Sequence, residues 1–162
     1  MNQFLYLFSI LLLLNSCKEE SKLTEIFVLN QKKITQDISI ENPKSFAEKL
    51  SNAALSIIDP DVIYTPAYVG IKYPNGDVPA KTGVCTDVII RAYRKLGIDL
   101  QKEVHEDMKA NFVLYPKTWG LKSTDKNIDH RRVPNLEVFF GRKGEKLKVT
   151  QNASEYETGD LV

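Results

Sequence analysis

The sequence has few residues of the types that build disulfide frameworks, metal sites or nucleic-acid surfaces. Its 162 residues include two cysteines and two histidines, and the net charge is +1. One cysteine pair cannot make the multi-bridge framework of small secreted domains. Neighbouring His105, Glu106 and Asp107 point in different directions on a predicted helix, so they cannot converge on one ion. We therefore expect no metal, no cofactor and no nucleic-acid partner.

The N-terminal run from Phe4 to Leu14 has the length of the apolar region of a signal peptide, and it is too short for a stable membrane span. It leads into Leu14-Asn15-Ser16-Cys17, which resembles the lipobox of bacterial lipoproteins. We predict a signal peptide at 1–16, lipidation of Cys17 and a tether at 17–41. A truncated transmembrane helix or a misplaced start codon is the alternative. The charged residues after Cys17 resemble a surface-export signal, which implies an outer-membrane lipoprotein, periplasmic or surface-exposed.

The remaining sequence, 42–162, has the composition and length of one folded domain, with 43% hydrophobic and 27% charged residues in the whole chain. Apolar periodicity predicts helices at about 43–57, 84–96 and 99–111, and a short helix that starts at Asn135 or at Val133-Pro134 and ends at Phe140. Asn42 precedes Pro43 as a predicted N-cap of the first. Segments 62–71, 146–150 and 157–162 are predicted to be extended.

Cys85 falls in the first turn of the predicted helix 84–96, for which Thr82 is a candidate N-cap and Gly97 a candidate terminator. N–H groups in the first turn lack intrahelical acceptors, and the helix dipole is positive there. That field stabilises a thiolate, and the same N–H groups can stabilise an oxyanion. After lipidation of Cys17, Cys85 would be the remaining thiol. It is either a buried, inert core residue or a functional group.

Five sequence blocks carry a family resemblance. They are Tyr73–Pro79, Thr82–Val88, Ile90–Arg94, Val104–Met108 and Asn127–Leu136. Together these blocks resemble a bacterial domain-of-unknown-function family, number 1287, over about 59–162. That family is similar to the NlpC-like branch of papain-fold cysteine peptidases, many of which cut cell-wall peptides. The resemblance implies an α+β fold, with a papain-like helical half and an incomplete antiparallel β half.

By this resemblance Cys85 is the catalytic nucleophile, and cell-wall peptide is the expected substrate. We assign Tyr68, Asp87, His130 and Arg131 to substrate binding, since Arg and His suit the carboxylates of a peptide. Tyr68 is alternatively an ordinary packing aromatic. The Asp129–Arg132 block is alternatively a solvated surface turn.

A papain-type thiolate needs a histidine base and a residue that orients it. In the resembled fold these would follow the strand at 157–162, so the chain is expected to lack them and to be truncated. His130 is the better substitute among the two histidines. The sequence thus leaves two functions open: a lipid-anchored cysteine hydrolase, or a non-catalytic accessory lipoprotein that binds peptide or wall, as a pseudoenzyme or a gene fragment.

Overall fold

The computed structural model describes residues 22–30, 32–36 and 38–162. These residues fall into two units, one ending at Ser39 and the other spanning Ile40–Val162. Residues 22–30 and 32–36 are helical, within the segment that the sequence predicted to be a tether. The predicted signal peptide at 1–16 and Cys17 lie outside the described residues. No helix within the described ranges is long and apolar enough to cross a membrane.

Helix α1, Phe46–Leu55, begins at a capping box. The Ser45 Oγ accepts from the Glu48 N–H at 3.1 Å, and the Glu48 carboxylate accepts from the Ser45 N–H at 2.9 Å. The predicted N-cap at Asn42 is therefore wrong, because Ser45 and Glu48 satisfy the first-turn N–H groups three residues later. Leu50 and Ala53 form the buried face of α1.

Helix α2, Cys85–Lys95, confirms the predicted helix to within one residue. The predicted cap Thr82 is wrong, because its hydroxyl donates to the Pro79 carbonyl at 2.8 Å and its backbone lies in a strand. The N-cap is Val84, whose side chain offers no acceptor. Gly97 adopts a φ of 81° after the helix, the left-handed conformation that glycine favours.

Helix α3, Leu100–Ala110, is capped by Asp99, and helix α4, Val133–Lys143, has proline in its first turn. Helix α4 extends past the predicted end at Phe140, since Gly141 is accommodated within it. A 3-10 helix at Asp129–Arg131 precedes α4 and packs against α2, α3 and α4. Apolar side chains from three helices make the main core, namely Ile90, Leu100, Val104, Leu136 and Phe139.

The sheet in the described part of the chain pairs β1, Ile63–Tyr64, with β2, Thr82–Gly83, in parallel. The fold class is therefore α+β, as predicted. The expected antiparallel half is wrong for the described residues: 146–150 and 157–162 are not strands, and a 3-10 helix at Ala153–Glu155 lies between them. Alternating side chains favour a strand, but a strand also needs a neighbour for its N–H and C=O groups. Leu147 and Val149 are accordingly exposed.

Candidate functional site

Cys85 is the first residue of α2, and its thiol is exposed and free. The next two residues, Thr86 and Asp87, are buried. The Asp87 N–H donates to the Val84 carbonyl at 2.9 Å. The N–H groups of Cys85 and Thr86 precede that bond and have no acceptor inside the helix. The thiol therefore lies at the positive end of a helix with two first-turn N–H groups beside it.

A buried ion pair holds the turn that carries Cys85. Arg131 Nε and Nη2 donate to Asp87 Oδ1 and Oδ2, each at 2.9 Å, in a bidentate arrangement. The side chains of Arg131 and Asp87 are only 3% and 4% exposed. Asp87 Oδ2 also accepts from the Val84 N–H at 2.7 Å. We call the Asp87–Arg131 pair the inner clamp.

A second contact joins the same two segments. The Thr86 hydroxyl donates to the Arg131 carbonyl at 2.9 Å, and this bond is buried. The first turn of α2 is thus attached through both backbone and side chain of Arg131, which belongs to the 3-10 helix before α4.

His130 lies inside the fold, with 2% of its surface exposed. Its Nδ1 is buried and has no hydrogen-bond partner among the described residues. Burial lowers the pKa of His130 to about 4, with the Asp87 carboxylate opposing and the Arg131 guanidinium adding to that shift. The imidazole is consequently neutral near pH 7.

Asp129 is also fully buried, and burial raises the pKa of its carboxyl group. Its carboxylate accepts from the Asp125 N–H and lies 3.4 Å from Arg132 Nη1. The Arg132 guanidinium lies 4.1 Å from the centre of the Trp119 ring. The interpretation of this block as a solvated turn is therefore wrong for its buried residues Asp129, His130 and Arg131.

Tyr68 lies at the surface, 60% exposed. Its hydroxyl donates to Asp125 Oδ2 at 3.1 Å and accepts from Asn127 Nδ2 at 2.8 Å. This network attaches the segment around Tyr68 to the loop that precedes the 3-10 helix.

An open groove of about 1690 Å³ runs beside Cys85. Residues from all four helices α1 to α4 line it, together with residues 144–149 and 159–162. Apolar side chains of α2 and α4 in the lining include Val88, Ile89, Val133 and Leu136.

The residues predicted to bind substrate do not line this groove. Asp87 and Arg131 are buried and bonded to each other, His130 is enclosed, and Tyr68 bonds to the 125–127 loop. The polar atoms of Asp87, His130 and Arg131 lie inside the fold, and their assignment to substrate binding stays a prediction. The structure brings Cys85, Asp87 and Arg131 together at the first turn of α2, and Tyr68 is not part of this group.

Sequence reasoning missed two buried polar residues that fix the surrounding loops. Gln101 is fully buried; its Oε1 accepts from the Gly76 N–H at 2.8 Å, and its Nε2 donates to the Lys72 and Lys126 carbonyls, each at 3.0 Å. Asn135 donates to the Asp129 carbonyl at 3.0 Å. Gln101 directly follows the apolar residue Leu100 in the predicted helix 99–111. That neighbour is the local signal for the burial of Gln101. Within the described ranges, no three His, Cys, Asp or Glu side chains are grouped to hold a metal ion.

Comparison with known proteins relates this chain to a sequence family. The family described as "Domain of unknown function (DUF1287)" matches residues 51–162, which include Cys85 and both clamp residues. The uncharacterized protein YijF of Escherichia coli (strain K12) is 51% identical over 113 residues, or 70% of this chain. The chain spans 55% of the length of that relative. No solved structure matches.

Proposed function

The chain belongs to the DUF1287 family, and we propose that Cys85 is the nucleophile of a cysteine hydrolase of the NlpC-like type. Its substrates are peptide or amide bonds of the cell wall. One observation carries this proposal: the exposed thiol lies at the N-terminus of α2 and lines an open groove. A structural cysteine of an apolar core would be buried instead.

The chemistry follows from that position. The Cys85 thiolate attacks the carbonyl carbon, a C–S bond forms, and the carbonyl electron pair moves onto oxygen. The N–H groups of Cys85 and Thr86 are the donors available to that oxyanion. Collapse of the tetrahedral species expels the amine, which takes up a proton. Water then hydrolyses the thioester and releases the acid.

Proton transfer needs a general base near Cys85, and the described residues provide only a weak one. His130 is next to Arg131, whose carbonyl binds Thr86, so it is the histidine attached to the Cys85 turn. Its enclosure and its pKa of about 4 make it a weak base. This favours a second candidate function, a protein that binds wall peptide in the groove without turnover.

The test is hydrolysis of peptides released from purified peptidoglycan. New amino groups are measured by fluorescence and the products by mass spectrometry. We expect the wild-type chain and Cys17→Ser to release amine at equal rates, and Cys85→Ala to release none. Cys17→Ser is the matched control, since it removes the other cysteine.

Equal and measurable rates of amine release in Cys85→Ala and wild type would refute the nucleophile. Peptide that binds equally to wild type and Cys85→Ala, with no amine released from either, would establish the binding function instead.

We further propose that lipid on Cys17 anchors the protein in the outer membrane, on its periplasmic or outer face. The support is the Leu14-Asn15-Ser16-Cys17 pattern after the apolar run. Labelled palmitate should enter the wild-type protein and not Cys17→Ser, and both proteins are then followed through membrane fractionation. Equal labelling of the two would refute the anchor.

A further inference from the structure

We propose that Asp87 and Arg131 are positioning residues for Cys85, which hold the first turn of α2 in place and balance each other's charge beside the thiol. This inference rests on the proposed function, since positioning has catalytic meaning only if Cys85 is the nucleophile. It assigns these two residues a role through Cys85 rather than through contact with substrate.

The first argument is geometric. Asp87 Oδ2 accepts from the Val84 N–H at 2.7 Å, and the Thr86 hydroxyl donates to the Arg131 carbonyl at 2.9 Å. The residues immediately before and after Cys85 are therefore both held by the inner clamp. Cys85 itself remains exposed to the groove. An exposed thiol on a fixed backbone has its direction set while the nucleophile stays free to react.

The second argument is electrostatic. The two clamp side chains are almost completely shielded from water, so a charge on either one is poorly screened. Asp87 is two residues from Cys85, and its negative charge alone would disfavour a thiolate. The Arg131 guanidinium, bound through two nitrogens, cancels that charge. The positive end of α2 then acts on the thiol without an opposing carboxylate.

Among the other charged groups in this region, Arg91 of α2 lies close to Asp87 but is paired with Asp77. Arg94 and Asp99 also act on His130, which is itself neutral near pH 7, and they belong to α2 and to the N-cap of α3. Neither forms a buried bidentate pair with Asp87 or Arg131. They stay constant when the clamp is changed, so a change in the thiol can be assigned to the clamp.

The two single substitutions make opposite predictions. Asp87→Asn leaves the positive charge of Arg131 uncompensated, which should lower the pKa of the Cys85 thiol. Arg131→Met leaves the Asp87 carboxylate uncompensated, which should raise it. We expect shifts of up to about one unit, the size of one charge acting through partly solvated protein. A merely loosened turn would move both variants in the same direction.

The measurement is the pH dependence of Cys85 alkylation by iodoacetamide, in the full chain with Cys17→Ser as background. Arg131→Lys keeps the charge and should leave the thiol pKa near that of the parent. Asp77→Asn, at a half-exposed ion pair further along α2, is the matched control and should also leave it unchanged. Circular dichroism verifies that each variant is folded.

A lower pKa of the Cys85 thiol in Asp87→Asn together with a higher one in Arg131→Met supports the inference. Any other pair of results, including no shift in either variant, overturns it. If Arg131→Met does not fold, the other two variants decide between these outcomes. The inference then requires a lowered pKa of the Cys85 thiol in Asp87→Asn and an unchanged one in Arg131→Lys. The titration needs no substrate. Absence of peptide hydrolysis together with opposite shifts would therefore refute the proposed function and retain the charge balance.

Discussion

Two groups of aspartate and arginine side chains attach α2 to the rest of the fold, and they differ mainly in exposure to water. The inner clamp, Asp87 with Arg131, is 3–4% exposed. The other group, which we call the outer clamp, consists of Asp77 with Arg91 and Arg94 at 3.1 and 2.7 Å; these side chains are 36%, 18% and 25% exposed. The same chemical groups therefore act in two different dielectric environments.

The difference shows what each clamp can do. In the outer clamp water solvates either charge if its partner is lost, so the pair adds little to stability. Its arginines also bind backbone, since Arg94 Nη2 donates to the Gly76 carbonyl at 2.8 Å and Arg91 Nη2 to the Thr82 carbonyl at 3.0 Å. In the inner clamp water cannot replace a lost partner, so the surviving charge destabilises the fold. The outer clamp holds the loop before Cys85, and the inner clamp holds the turn that contains it.

The largest expected effect comes from breaking the inner clamp on one side. Arg131→Met should lower the free energy of unfolding by about 3–5 kcal/mol, because the Asp87 carboxylate stays buried without its partner. Urea unfolding followed by circular dichroism measures the change. The control is the double variant with Asp87→Asn, which should be more stable than Arg131→Met alone. Simple addition of the two single effects would contradict this account of the pair.

The second prediction uses the titration of His130, which borders the inner clamp. Burial holds its folded pKa at about 4, below the ordinary value of 6.5. Between these values the unfolded chain binds the proton and the folded chain does not, so lower pH favours unfolding. Stability should therefore fall as pH drops from about 6.5 to 4, by up to about 3 kcal/mol from this residue.

The measurement is the urea midpoint as a function of pH, for wild type and His130→Gln. The curve of the variant should be flatter over this range. Asp129 acts in the opposite sense, since its raised pKa adds stability as pH falls through that pKa. Both proteins contain Asp129, so the difference between the curves isolates His130. Parallel curves would show that His130 is not held neutral by burial.

Much of the helical fold could be predicted from local patterns. The stripe containing Val88, Ala92 and Leu96 placed α2 to within one residue, since apolar periodicity is a local property of the sequence. The cap of α2 could not be read in the same way, because Val84 has no acceptor and Asp87 reaches back instead. Segment 146–150 alternates like a strand, yet a strand requires a partner that local alternation does not specify.

The candidate site also combines features that local patterns predict with features that depend on long-range contacts. The position of Cys85 at a helix start follows from local sequence signals, whereas the sequence left its exposure open and the structure shows it to be exposed. The inner clamp joins residues 44 positions apart, and no pattern within either segment reveals that distance. Arginine suits the carboxylates of a peptide, so the sequence predicts substrate contact for Arg131 and does not predict its pairing with Asp87. Their burial depends on packing between α2 and the 3-10 helix, which only the folded chain defines.

A smaller effect is expected from the outer clamp. Asp77→Asn should lower the free energy of unfolding by about 1 kcal/mol or less, because Arg91 and Arg94 are partly exposed and retain their backbone bonds. The matched comparison is Asp87→Asn, the same substitution in the inner clamp. Urea unfolding of both variants in parallel measures the contrast. A loss in Asp77→Asn as large as in Asp87→Asn would show that exposure does not separate the two clamps.

The smallest effect is expected at an exposed ion pair, where Lys81 Nζ lies 2.7 Å from Asp59 Oδ2 and 3.2 Å from Asp61 Oδ2. The Lys81 hydrogen bond is the largest cause of the lowered pKa of Asp59. Lys81→Met should therefore move the pKa of Asp59 back towards its ordinary value, which carboxyl NMR titration can follow. A lowered pKa stabilises the fold above the unfolded value, and that contribution is lost as pH falls through the folded value. Water screens this solvated pair, so the urea midpoint at pH 7 should stay unchanged. A clear loss of stability there would mean that ion pairs on this protein act alike, whether solvated or buried, and would remove the physical basis for distinguishing the inner clamp.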